Sequence, residues 1–332
     1  MSAPTPTTQV AAPRRGVQPA RRARLGLLAA VLSAAAFGTS GPFAKALLSG
    51  GWTSGSIVLL RIGGAALVLA VPAFLALRGR WSLVPRNLGV VLVFGLVAVA
   101  GCQVAYFNAI GSLPVGVALL LEYSGTVLVV LWLWLTTRRA PSRTTLVGAL
   151  VALAGLALVL DVTGQAPPPL GGVLWGLVAA VGLAAYFVSA SSRPHAGEEL
   201  PPVALAALGM AVGAVALAGA GLAGLLPMRY ATTDVTVAGH ALPWWLPVAE
   251  LAVVAAAAAY LLGTLAVRRL GATVASFVGL SEVLFAIVFA WLLLGELPRP
   301  VQLGGGALVV AGVVAVRVGE ASSAPELVGT GT

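Results

Sequence analysis

The chain reads as an all-α polytopic membrane protein, ten transmembrane helices arranged as two inverted five-helix repeats. Three observations predict this. The first is composition. The 332 residues are 59% hydrophobic and 9% charged, with mean hydropathy +1.02, whereas soluble domains carry roughly 25% charged residues. The second is run length: apolar stretches of about 20 residues, the length a helix needs to cross the hydrocarbon core, recur along nearly the whole chain. The third is self-similarity. Sliding the sequence by 157 residues overlays Leu113 on Leu270, Val117 on Val274, Ala118 on Ala275, Ser124 on Ser281, Trp134 on Trp291 and Pro141 on Pro298. The same shift brings Leu146 onto Leu303, Gly148 onto Gly305 and Gly155 onto Gly312.

The expected spans are 25–48, 55–77, 87–110, 114–136, 144–160, 171–191, 203–226, 244–266, 272–294 and 302–317. Glycine, proline and arginine punctuate the breaks, as at Gly50-Gly51, Arg78-Gly79-Arg80, Pro167-Pro168-Pro169 and Arg193-Pro194. These spans divide the chain into a disordered basic tail (1–23), a first repeat (24–160), a second repeat (170–317) and a disordered C-terminal tail (318–332). The basic start followed by Leu25 to Ala36 has the form of a signal peptide. Against cleavage, a shift of 150 overlays Gly26 on Gly176, Ala29-Ala30-Val31 on Ala179-Ala180-Val181 and Phe37 on Phe187. A segment with a twin later in the chain is a retained helix.

Charge fixes the expected orientation. The formal net charge is +9, and every basic residue but Lys45 is arginine. Most arginines sit in short runs between apolar spans, which is topogenic charge rather than a nucleic-acid face. With both termini in the cytoplasm of a cell whose inner (plasma) membrane holds the protein, the inner segments carry fifteen arginines and the outer ones only Arg229 and Arg299. Five spans per repeat is an odd number, so the second half enters the membrane upside down. Inverted repeats with a site at their interface characterise secondary transporters.

Ionisable groups inside apolar spans are costly, and they mark pathways by default. Glu122 and Glu282 lie in the overlaid stretches, one helical turn out of register and so on one helix face. They are candidates to bind an amine or take a proton, against a purely structural bond to a neighbouring hydroxyl such as Tyr123 or Ser124. Two acids brought close across the repeat interface would influence each other's protonation. Arg61 and Lys45 could receive a carboxylate. Their structural alternatives are an ion pair for Arg61 and snorkelling to the outer interface for Lys45. Glu250 is a further candidate, with an ion pair to Arg61 or Lys45 as its alternative. Gln103 and Tyr106 share a face of the third span, while Asn108 points elsewhere; these groups could line the cavity or equally cap and bridge helices.

Other features read as structural. Trp132, Trp134, Trp244, Trp245 and Trp291 near span ends are expected interfacial anchors. Gly209 and Gly213 form a small-residue packing motif. His195 and Glu198 form an H-x-x-E with no further ligands near in sequence, so no metal site is expected. The single Cys102 excludes an intrachain disulfide. No Walker A, HExxH, GxSxG or Rossmann fingerprint occurs, which argues against ATP-driven transport by this chain and against a cofactor. The stretch from Pro227 to Pro243, with Asp234 and His240, has no assigned role.

The ten-span duplicated pattern resembles the drug/metabolite transporter superfamily and its EamA-type modules over residues 25 to 317. The string VASFVGLSEVLFAIVFAWLLLGELP (Val274 to Pro298) is similar to the family's penultimate helix, which ends in a Gly-Glu pair, here Gly295-Glu296. LPVGVALLLEYSG (Leu113 to Gly125) is similar to the matching helix of threonine/homoserine-exporter-like members. The first repeat departs from this pattern, with Arg138-Arg139 where the second has Gly295-Glu296. The resemblance implies a non-enzymatic secondary active exporter of small metabolites, with amino acids as leading cargo. It works by alternating access in the lipid bilayer, with protons as candidate coupling ion and Glu122, Glu282, Arg61, Lys45, Glu250, Gln103, Tyr106 and Tyr123 as candidate substrate-binding or coupling residues. The alternatives are a drug or nucleotide-sugar carrier of the same fold and, from another class, a membrane-embedded lipid-modifying enzyme. Substrate, direction and oligomeric state are left open.

Overall fold

The computed structural model describes residues 17–138, 142–160, 168–191, 199–270, 278–279 and 281–323. In chain order, span 1 is Val17–Gly38 and Ser40–Ser49, and span 2 is Ser54–Leu77. Span 3 runs through Leu88–Val93, Phe94–Gly101 and Cys102–Ile110, and span 4 through Val115–Tyr123 and Gly125–Thr137. Spans 5, 6 and 7 are Arg143–Leu160, Leu170–Ser191 and Pro202–Leu222. Span 8 runs through Trp245–Ala252, Val253–Ala258 and Ala259–Leu270; spans 9 and 10 are Ser281–Leu294 and Pro300–Ser323. Among the described residues, Arg24–Ser49, Ser54–Leu77, Leu88–Ile110, Pro202–Leu222 and Trp245–Gly263 are each long and apolar enough to cross a membrane. Helices suit that medium because lipid offers no partner to backbone N–H and C=O groups, and a helix pairs its own.

The packing follows the duplication. Span 5 lies along span 10 and span 2 along span 7. Span 1 packs on spans 8 and 9, and its counterpart span 6 packs on spans 3 and 4. An operation that exchanges the repeats reproduces this whole set. The glycines at the contact of spans 5 and 10 are reciprocal. A Cβ on Gly155 would come within 2.6 Å of Val309 N and 2.7 Å of Gly305 O, and one on Gly312 within 2.5 Å of Gly148 O. The 157-residue shift carries the first contact, Gly155 with Gly305, onto the second, Gly312 with Gly148.

Smaller details repeat as well. Ser124 Oγ donates to Leu121 O at 2.6 Å, and Ser281 Oγ donates to Val278 O at 2.6 Å. Arg138 N donates to Trp134 O at 2.9 Å and Gly295 N to Trp291 O at 3.0 Å. Both of those cap residues are left-handed, with φ 55° and 71°. Spans 3 and 8 each carry a π-helical segment, Phe94–Gly101 and Val253–Ala258. Span 1 breaks at Thr39 because Pro42 lacks an N–H and its ring crowds the carbonyl four residues back, that of Gly38.

Two features extend the sequence reading. Span 1 begins at Val17 and span 10 runs to Ser323, so helix reaches into the stretches assigned to tails at 1–23 and 318–332. Ala, Arg and Gln between 17 and 23 propagate a helix readily once it exists. The stretch after Pro227 contains a hairpin, Val235–Val237 (β1) antiparallel to His240–Leu242 (β2). Its two turn residues, Ala238 and Gly239, have φ 52° and 77°, the signs of a type I′ turn. Ala238 N donates to Leu293 O at 2.8 Å and so ties the hairpin to span 9. The bundle therefore has a hairpin end, with Arg229 and Arg299, and an arginine end. The latter carries Arg24, Arg78, Arg80, Arg86, Arg138, Arg143 and Arg269 among the described residues.

Two outcomes follow from these contacts. Gly155→Leu should destabilise the protein by about 2 kcal/mol or more, because backbone atoms of span 10 occupy the space; thermal unfolding in detergent, followed by loss of the monodisperse species, measures it. Arg138→Gly should instead stabilise by about 1 kcal/mol, since the left-handed cap disfavours a side chain. An unchanged transition for Arg138→Gly would contradict the strain at that cap.

Candidate functional site

Arg61 of span 2 is 2% exposed, deep in the bundle. Its Nη1 donates to Gln103 Oε1 at 2.6 Å and its Nη2 to the carbonyl of Ala255 at 3.0 Å. Ala255 lies in the π segment of span 8, where the altered ladder frees backbone carbonyls for other donors. The guanidinium also sits 5.5 Å from the centroid of Phe107, within cation–π range. Arg61 is therefore held by a neutral amide, a carbonyl and a ring; no acid touches it among the described residues. Its charge nevertheless lies within Coulombic reach of Glu122, Glu250 and Glu282.

The carboxylates have separate partners. Tyr123 Oη donates to Glu282 Oε2 at 3.1 Å, which joins spans 4 and 9 across the repeats. Cys102 Sγ of span 3 is 3.4 Å from Glu122 Oε1 and 3.4 Å from Ala179 O of span 6. Glu122 and Glu282 also act on each other electrostatically. Glu250 of span 8 lies 2.5 Å from Thr39 Oγ1, at the break in span 1; that hydroxyl is also 2.7 Å from Ala36 O, and its one hydrogen serves either. The ion pair of Glu250 with Arg61 or Lys45, weighed from the sequence, does not form. Two atoms of this cluster, Arg61 Nε and Glu250 Oε2, are buried without a hydrogen-bond partner among the described residues.

Lys45 meets an acid of the other repeat. It forms an ion pair with Glu296 and donates to Leu113 O at 2.9 Å. The other Glu296 oxygen accepts from Val115 N at 3.0 Å, so a carboxylate caps the positive N-terminus of span 4. The sequence carried this partner in Gly295-Glu296, but nothing in one dimension pairs it with Lys45. Tyr106 is 6% exposed and packs with its hydroxyl toward Gly41 of span 1. Asn108 turns back onto its own helix, with Nδ2 donating to Val104 O at 2.8 Å. The His195 and Glu198 pair lies outside the described residues.

Residues 24–161 and 170–318 each match the model of the EamA-like transporter family. The chain belongs to that family. It is thus a multi-pass membrane transporter of the drug/metabolite transporter superfamily, a non-enzymatic carrier, and the lipid-modifying enzyme is set aside. A solved structure named only "Crystal structure of protein" matches with a TM-score of 0.58 at 19% identity, covering 94% of this chain and 99% of that one. It shows the fold. No curated protein matches the chain.

Contacts between the halves bridge the hairpin end. Thr53 Oγ1 donates to Pro227 O at 2.7 Å, and Ser56 Oγ donates to Arg229 O at 2.6 Å. Trp52 packs against Tyr230 at 5.5 Å and Trp244 at 5.7 Å between ring centroids, so Trp244 is a cross-half contact rather than a lipid anchor. Trp132, Trp134, Trp245 and Trp291 are exposed on the outside, as anchors are. Two cavities, of about 270 and 720 Å³, lie toward this end, and neither is lined by Arg61, Glu122 or Glu282.

Cys102 is 5% exposed and alone of its kind, packed inside the bundle against span 6, so its labelling tests whether these contacts close the hairpin end. A membrane-impermeant maleimide should label it slowly in the wild type. Glu296→Gln and Lys45→Met should each raise the rate about fivefold, the effect of roughly 1 kcal/mol on a closing equilibrium. Unchanged rates in both variants would show that the Lys45–Glu296 pair does not hold the end closed.

Proposed function

We propose that this EamA-like transporter is a secondary active exporter of small zwitterionic metabolites, amino acids foremost. It works by alternating access in the inner (plasma) membrane, with both termini cytoplasmic and protons as the coupling ion. The observation that carries the reading is the buried cluster shared by both repeats. One guanidinium faces three carboxylates, with a donor (Arg61 Nε) and an acceptor (Glu250 Oε2) left open. Burying unbalanced carboxylates costs several kcal/mol, so the cluster calls for added positive charge. Protons on Glu122 and Glu282 supply it, and so does the ammonium of a solute whose carboxylate meets Arg61. Gln103 and Tyr123 orient Arg61 and Glu282 through the bonds described above.

The segregation of arginines to one end supports the orientation, because cytoplasmic segments retain Lys and Arg. The hairpin end would then face outward, closed here by Lys45 and Glu296. Opening that end requires those cross-half contacts to part while the arginine end closes, a rocking of one repeat against the other.

Uptake of labelled amino acids into proteoliposomes, with and without an imposed pH gradient, tests the reading. Gradient-dependent flux should appear for the wild type and fall at least about tenfold in Glu122→Gln, which removes a titrating group without removing volume. Flux of an amino acid that ignores the gradient would remove proton coupling. Flux of none would remove the amino-acid cargo and point to the drug or nucleotide-sugar class.

A further inference from the structure

The 720 Å³ cavity is separate from the buried cluster and has a chemistry of its own. Its walls come from spans 4, 9 and 10, and its body is apolar, lined by Leu120, Val283, Ile287, Ala307, Val310 and Ala311. The polar side chains gather at one end: Lys45, Ser112, Glu296 and Gln302. From Gln302 to Ala311 span 10 advances about 13 Å at roughly 1.5 Å per residue, so the cavity is an elongated slot running inward from the hairpin end. Two of its lining residues, Leu284 and Leu303, are also 61% and 47% exposed on the outside of the bundle. The slot therefore opens sideways, to the surface that hydrocarbon covers.

Those features define the occupant. The apolar body of the slot offers water few hydrogen-bond partners, and its volume lies within the range of about 300–1,000 Å³ typical of ligand sites. A water-soluble solute would not enter from the lipid side. We propose that the slot is a lipid site: one acyl chain of a zwitterionic membrane phospholipid lies between spans 4, 9 and 10, and its headgroup meets the Lys45–Glu296 pair. The pair presents both signs of charge and is not sealed off, its side chains being 22% and 23% exposed. Lys45 matches the phosphate and Glu296 the ammonium of an ethanolamine head. The slot shares no residue with the Arg61 cluster, and only its Lys45–Glu296 pair also takes part in joining the halves at the hairpin end.

Photo-crosslinking of the full-length protein in nanodiscs decides it. The probe is a phosphatidylethanolamine with a diazirine partway along one acyl chain, and adducts are mapped by peptide mass spectrometry. Adducts at Ile287, Ala307 and Ala311 should exceed those at Leu67 and Leu150, which are 78% and 68% exposed and sample bulk lipid. Ala307→Trp should abolish the slot adducts and spare those at Leu67 and Leu150. Ala311→Leu, a smaller filling, should reduce them even if the larger one fails to fold. Lys45→Met combined with Glu296→Gln should lower them with the slot left open. Slot adducts no more abundant than those at Leu67, or retained in both filled variants, would overturn the site. Their loss on adding a transported amino acid would assign the slot to the solute path instead, and full retention in the double variant would overturn the headgroup contact.

Discussion

Lipid tails are as apolar as the helices they surround, so helices in this bundle gain little by hiding leucine from lipid. What brings them together is close backbone contact, and only residues without bulk allow it. Gly155 against Gly305 and Gly312 against Gly148 make that contact between the halves, each pair the image of the other. Gly95 lies against the backbone of Gly209, joining spans 3 and 7 in the same manner. The rest of the architecture depends on these approaches. A side chain at any of them would push apart spans 5 and 10 or spans 3 and 7, the frame around the spans that carry Arg61 and the carboxylates.

The two repeats agree in frame and differ in chemistry. Matched serines make matched bonds to Leu121 and Val278, and matched caps at 138 and 295 take one left-handed conformation. The ionisable groups break the match. Glu122 and Glu282 stand one turn apart in register, and either repeat shift sets an alanine, Ala211 or Ala218, opposite Arg61. The Lys45–Glu296 pair likewise uses span 1 of one repeat and the end of span 9 of the other. A symmetric frame suits rocking between two states of similar energy, whereas a single solute is bound by an asymmetric set of groups.

The interruptions of the helices sit where the polar groups do. Span 1 breaks at Thr39 beside Glu250, span 4 breaks at Ser124 two residues after Glu122, and the π segment of span 8 offers Ala255 to Arg61. Irregular backbone at membrane depth survives only where it is buried in protein or lines a cavity. Here side chains and displaced carbonyls satisfy each other, which makes the carbonyl of Ala255 part of the cluster although no side chain marks it in the sequence.

Much was legible in one dimension because hydrocarbon imposes one-dimensional rules. Span length, apolar runs and the arginine clusters report directly on the medium, and the internal overlay of Gly148, Gly155, Ser124 and their partners reports the duplication. The buried acids were visible as exceptions to those rules. Which groups meet was not visible: Lys45 with Glu296, Arg61 with Gln103 and Ala255, and Tyr123 with Glu282 each join residues from different helices. The hairpin at 235–242 is faint in the sequence because Ala238-Gly239 is a weaker turn signal than Asn-Gly and its strands are three residues long. The sequence by itself determined that this chain is a duplicated helical membrane protein with acids and an arginine inside. Only the tertiary structure decided their partners, because contact between helices depends on rotation and depth, which apolar composition does not encode.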